Sequence, residues 1–181
     1  MKNILIILLL STKVYSQTTI LSLQNDYLEN ICYWDQHARK SKYNCSDQET
    51  NYTDSVNLLK LEYYIKRFGF PLTRQYSENA YNGVFYTIQH ADLSVQEKYI
   101  SKIRQAADSG FIAMKKYAMM YDRILNRNIG KQKYGEQRYH DTVDNYLKYV
   151  PFINIDSVQF YRKQIGLDSL DLNKKVKLMV K

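Results

Sequence analysis

Between Leu23 and Ile165, apolar residues recur every three or four positions in blocks bounded by glycines, prolines and capping residues. That period lines side chains along one face of an α-helix and does not suit the two-residue alternation of a half-buried strand. Leu23, Tyr27, Ile31 and Trp34 predict a first helix to about Lys40. Residues 41–53 are polar and read as a connector. Thr53 or Asp54 then caps a second helix carrying Leu58, Leu61, Ile65 and Phe68. Gly69 ends it in a left-handed cap and Pro71 bars its continuation. Ser77 caps a third helix with Tyr81, Val84, Phe85 and Ile88 inward. Ser94-Val95-Gln96-Glu97 has capping-box spacing and starts a fourth, with Val95, Tyr99, Ile103, Ala106 and Ala107 buried and Gly110 closing it. Met114, Tyr117, Ala118, Tyr121, Ile124 and Leu125 stripe a fifth, ended by Gly130. A short helix within Thr142–Tyr149 precedes Pro151, and Asp156 caps a last one through Val158, Tyr161 and Ile165. The one strand-like stretch is Phe152–Ile155. The expected fold is all-α, a single compact multi-helix domain with a short irregular loop at Tyr134-Gly135-Glu136-Gln137, where Gly135 takes positive φ.

The first 16 residues read as a cleavable signal peptide. Lys2 supplies a charged start, Ile4 to Leu10 is an unbroken apolar run, and Val14-Tyr15-Ser16 fits a cleavage site near Ser16. The run is far shorter than the roughly 20 residues of a spanning helix. A secreted or periplasmic location follows, with residues 17–181 as the mature domain: Gln17 to Leu23 poorly ordered, a core over 23–167, and a charged tail over 168–181. No stable membrane insertion is expected after cleavage. Loss of Lys2 and Lys13 lowers the formal charge from +8 to +6. The basic residues are interleaved with acids, which reads as a solvated surface and not as a nucleic-acid footprint. In an oxidising compartment Cys32 and Cys45 can close a loop worth about 3 kcal/mol, or remain two thiols.

Polar groups concentrate where the third helical pattern gives way to the fourth, at Gln89-His90-Ala91-Asp92. A histidine has an unperturbed pKa of about 6.5, so His90 can trade protons at physiological pH, and Asp92 or Asp122 can orient it. The competing reading is a histidine that caps carbonyls, with Asp92 capping the next helix. Asp35 and Arg39 stand one helical turn apart beside Gln36, as a surface ion pair or as one wall of a site. Arg123 offers a guanidinium fork for an anion, and Tyr134 a hydroxyl donor. Gln132 and Gln137 are either staples for loop backbone or ligand donors. One imidazole and two carboxylates are too few nitrogen or sulfur ligands for zinc, and His37 and His140 show no ligand spacing to His90, so no metal and no cofactor are expected. Nucleophile elbows, phosphate-binding glycine loops and dinucleotide fingerprints are absent from the sequence.

These residues, in this order, resemble a bacterial domain-of-unknown-function family marked by Gln-His-Ala-Asp, Asp-Arg and Tyr-Gly-x-Gln motifs. The matching positions are Asp35-Gln36 with Arg39, Asp54 with Asn57, Gly69-Phe70-Pro71, Gln89-His90-Ala91-Asp92, Gln96, Asp122-Arg123, Gly130, Gln132, Tyr134-Gly135-x-Gln137, Pro151, Ile155-Asp156, Arg162 and Gly166-Leu167. Glu136 stands where that family usually has threonine. The resemblance implies a fold type and a set of marked polar residues, and it carries no established activity.

Two functions and a structural alternative follow as expectations. One is a metal-independent hydrolase or lyase, with His90 as acid or base, Asp92 or Asp122 as its orienter, Arg123 as anion binder, Tyr134 as donor, and Asp35, Gln36, Arg39, Gln89, Gln132 and Gln137 completing a polar cleft. The other is a non-catalytic module that binds a small polar ligand or peptide in the same cleft, or a structural protein whose polar set locks helix packing.

Overall fold

The computed structural model describes residues 2–40, 43–143, 145–172 and 176–177, with side chains within the span from 18 to 172. It is a mostly α fold, as the periodicity requires, and its contacts divide it into two compact units, Met1–Ala91 and Asp92–Lys181. The boundary falls inside Gln89-His90-Ala91-Asp92. Ala91 (φ −72°, ψ 174°) and Asp92 (φ −62°, ψ 159°) are both extended, which breaks the helical path for two residues. No helix among the described residues is long and apolar enough to cross a membrane.

The first unit holds α1 (Lys2–Arg39), α2 (Asp47–Phe68) and α3 (Glu78–His90). Helix α1 begins well before Leu23, so Gln17 to Leu23 is helical rather than poorly ordered. The side chains of the apolar run at 4–10 and of the cleavage site lie outside the described residues. The inward face of α1 is rotated from the expected stripe: Leu28, Ile31, Cys32, Asp35 and Ala38 are buried, whereas Leu23 and Trp34 are exposed. The cause is the crossing with α3. Gly83 lies so close to α1 that a Cβ there would stand 2.4 Å from the Leu28 carbonyl oxygen and 3.0 Å from the Cys32 amide nitrogen. Leu61 and Tyr64 of α2 and Ala80, Val84, Phe85 and Ile88 of α3 complete this core.

Helix α2 starts earlier than Thr53. Ser46 accepts the Glu49 amide at 3.2 Å while the Glu49 carboxylate accepts the Ser46 amide at 2.7 Å, a reciprocal capping box. Gly69 ends α2 at φ +81° and ψ 174°, a region open to glycine but outside the left-handed helical well. Ser77 caps α3 as expected, accepting the Ala80 amide. That cap is also clasped to α1, since Ser77 donates its hydroxyl to Glu29 and its amide to Asn25. Cys32 and Cys45 remain two thiols.

The hydroxyl of Ser77 and then the amide of Asn25 hold the Glu29 carboxyl below its usual range. A depressed folded pKa contributes stability that is present above the unfolded value and lost as pH falls through the folded one. The difference in thermal midpoint between wild type and Glu29→Gln should therefore be largest at neutral pH and shrink on acidification. A difference that stays constant down the titration contradicts the clasp.

The second unit holds α4 (Leu93–Asp108), α5 (Met114–Ile129), strands β1 (Arg138–Asp141) and β2 (Tyr146–Tyr149), α6 (Val158–Gln164) and β3 (Val176–Lys177). Its core comprises Tyr99, Ile103, Ala106 and Ala107 of α4, Tyr117, Ala118 and Met120 of α5, and Tyr134, Val150 and Val158. Helix α4 begins at Leu93 with Asp92 at its cap position, so Ser94 lies inside the first turn and caps nothing. Ser157, not Asp156, occupies the cap position of α6.

The expected helix within Thr142–Tyr149 is a β-hairpin, pairing Arg138 with Tyr149 and Asp141 with Tyr146 in an antiparallel sheet of order β1-β2-β3. Turn chemistry decides this: Asp141 Oδ1 accepts the Val143 amide at 2.9 Å, and Asn145 adopts φ +59°. The Arg138 guanidinium over the Tyr149 ring, 4.2 Å from its centroid, fixes the open end. Near Phe152–Ile155 the described residues form a single bridge, between Gln132 and Phe152.

Candidate functional site

In the first unit the marked residues meet at the open end of α1 and α3. Asp35 is 1 % exposed, a carboxylate that burial alone would penalise heavily. It is satisfied on both oxygens: Oδ1 accepts from His90 Nδ1 at 2.8 Å and from Arg39 Nη1 at 3.1 Å, and Oδ2 accepts the Gln36 amide at 2.9 Å. A carboxylate can only accept here, so Nδ1 of His90 is the donor, which fixes the orientation of the ring. Nε2 has no hydrogen bond among the described residues, and a fifth of the His90 side chain is exposed. Tyr86 lies nearly parallel to the imidazole, at 6.3 Å and 11°; burial, then Cys32 and Asp35, push its phenol up. Gln89 is buried in the same last turn of α3.

Arg39 also reaches Asp54 with both carboxylate oxygens at 2.7 Å from Nη2. Asp35, Asp54 and His90 offer ligand atoms within 4.8 Å of one another, a set that a cation would otherwise suit. The guanidinium already bridges the two carboxylates, and the imidazole proton is committed to Asp35. As arranged, the cluster is an ion-pair network.

Within the first unit the carboxylate that holds His90 is Asp35. Asp92 sits exposed at the start of α4 and its carboxylate makes no capping bond. Asp122 is fully buried on α5 and anchors the Tyr134 loop: Oδ1 accepts the amide of Lys133 (2.7 Å), Oδ2 that of Glu136 (2.9 Å), and both accept that of Tyr134 (3.0 and 3.1 Å). Burial pushes its carboxyl up, against the lowering pull of those three N–H groups.

Gln132 and Gln137 are staples. Gln132 donates to the Val150 carbonyl at 2.7 Å and accepts the Gln137 amide at 2.8 Å, and Gln137 donates to the Met119 carbonyl at 3.0 Å. Tyr134 is buried against Tyr117 and Tyr121, and burial pushes its phenol up. Gly135 adopts φ +83° as expected. Glu136 pairs at 2.9 Å with Arg162, which also donates to the Tyr134 and Asp168 carbonyls at 2.6 Å. That pair escaped sequence reasoning because its partners lie 26 residues apart with no shared period. Arg123 is half-buried and its Nε makes no hydrogen bond among the described residues; burial, then Arg127, pull its guanidinium down.

A cleft of about 550 Å³ opens on the outer side of α1, and Gln36, Tyr33, His37 and Tyr43 contribute to its lining. Gln36 therefore touches both this cleft and Asp35. Comparison with protein families, curated proteins and solved structures returns no match for this chain.

Proposed function

We propose that this is an exported helical protein whose first unit carries an acid–base centre, acting on a small polar substrate as a metal-independent hydrolase or lyase. One observation carries the reading: a buried carboxylate holds Nδ1–H of a partly exposed histidine, leaving Nε2 available. That arrangement sets the tautomer and the ring plane, as a general base needs. His90 Nε2 takes a proton from water or from an acidic C–H, and the Asp35 carboxylate, steadied by Gln36 and Arg39, balances the imidazolium that forms.

Support for the family resemblance is of the same kind: Asp35, Gln36, Arg39, Asp54 and His90, all among its marked positions, are joined in one hydrogen-bonded network. Of the marked residues of the second unit, Asp122, Gln132, Tyr134, Gln137 and Arg162 form a loop scaffold, which favours a structural role for those five. Export rests on the charged start and the apolar run at the N-terminus.

The test is turnover across a panel of ester, amide, glycoside and uronide substrates, by wild type and His90→Gln. The side-chain amide that this substitution introduces can still donate to Asp35, so the fold should stay within about 1 kcal/mol. Turnover should fall by roughly 10²- to 10⁴-fold. Equal turnover by the variant, or none by wild type on any class, removes the acid–base reading.

A further inference from the structure

The cleft on α1 has a composition that the acid–base centre does not explain. Its aromatic side is built from Tyr33, His37 and Tyr43: the His37 and Tyr43 rings are stacked at 3.6 Å and 18°, and Tyr33 leans on His37 at 5.7 Å. Its polar side carries Asp26, Asn30 and Asn79, all exposed and without a hydrogen bond or ion pair among the described residues. Two side-chain amides supply donors and acceptors together, and a carboxylate supplies acceptors.

Charge narrows the ligand. Asp26 and Glu29 face the cleft against Lys40, so its lining is net negative and repels phosphate or carboxylate ligands. Apart from the rings and Cys32 the lining residues are polar or charged, so the apolar surface of the cleft is chiefly that of its rings. What remains is a neutral molecule with a flat C–H face for the rings and many hydroxyls for the amides. From this geometry we infer that the cleft is a binding site for a short neutral oligosaccharide. A pyranose ring stacks on Tyr33 and the His37–Tyr43 pair, and its hydroxyls bond Asn30, Asn79 and Asp26. The volume falls within the range that encloses small ligands, about 300–1,000 Å³. This goes beyond the acid–base reading: binding here requires no contribution from His90, and Gln36 connects the cleft to the Asp35 network.

Trp34 provides the readout. It is the single tryptophan and packs edge-on against Tyr33 at 5.3 Å and His37 at 5.5 Å. Cellotriose, maltotriose, mannotriose and triacetylchitotriose, titrated into the purified protein, should include at least one that shifts Trp34 emission and gives saturable heat by calorimetry. Tyr33→Ala and Asn79→Ala alter exposed side chains and should leave the thermal midpoint unchanged while weakening that binding by about tenfold each. His90→Gln should bind as wild type, so failure of the catalytic reading leaves this result standing. The inference is overturned if none of the four trisaccharides binds, if trigalacturonate or a nucleoside monophosphate binds more tightly than all of them, or if both cleft variants bind like wild type.

Discussion

Asp122→Ala should destabilise the second unit by about 3–5 kcal/mol, the cost of stranding buried donors that have no other acceptor. The carboxylate is fully buried and takes the amides of Lys133, Tyr134 and Glu136. A methyl group accepts none of them, and water has no ready path to a site with no exposure. The damage should spread along the loop, because Arg162 grips the Tyr134 carbonyl and the Glu136 carboxylate from the other side. Amide hydrogen exchange at residues 133–137 should accelerate, and urea unfolding should move to lower denaturant with the slope preserved. Asp122→Asn tests the same point more gently, since one amide oxygen can serve one or two donors but its NH₂ faces the rest. A variant with wild-type stability and unchanged exchange at Tyr134 would mean that Asp122 is not the anchor of this loop, and a role in chemistry would return to consideration.

Gly83→Ala should destabilise the first unit by about 2–3 kcal/mol. In an exposed helix this change stabilises by about 0.5–1 kcal/mol, because alanine loses less backbone entropy on folding. Here the new Cβ would stand 2.4 Å from the Leu28 carbonyl oxygen and 3.0 Å from the Cys32 amide nitrogen. These are backbone atoms of α1, which no rotamer change can move aside, so the helices must separate and loosen Ile31, Phe85 and Ile88. Parting α1 from α3 also pulls Asp35 away from His90. The imidazole of the variant should therefore lose its fixed tautomer, read from its ¹⁵N shifts, together with any turnover assigned to it. A rise in thermal midpoint, the ordinary result for a helical glycine, would show that α1 and α3 do not cross at this point.

Both results depend on features that differ in how far they can be seen in the chain. Ser77 as a cap, the inward set Tyr81, Val84, Phe85 and Ile88, the stripe of α4 and the positive φ of Gly135 are each dictated within a few residues, by hydrogen-bond geometry or by the 3.6-residue period. The Ser46–Glu49 capping box was equally local and carried its own spacing, although the polar connector around it obscured the start of α2. The hairpin at Arg138–Tyr149 rests on one turn, Asp141 to Asn145, whose signal is weaker than that of a stripe.

What the sequence by itself determined is the helical class and most helix boundaries. Tertiary structure alone decided the partners of the polar residues. His90 meets a carboxylate 55 residues earlier, Asp35, and α1 turns Asp35 inward and Trp34 outward. The physical reason is one of range. Periodicity and caps are settled by atoms a few bonds apart, whereas the face that α1 presents is set by its close approach to Gly83, a contact between distant segments that no local pattern encodes.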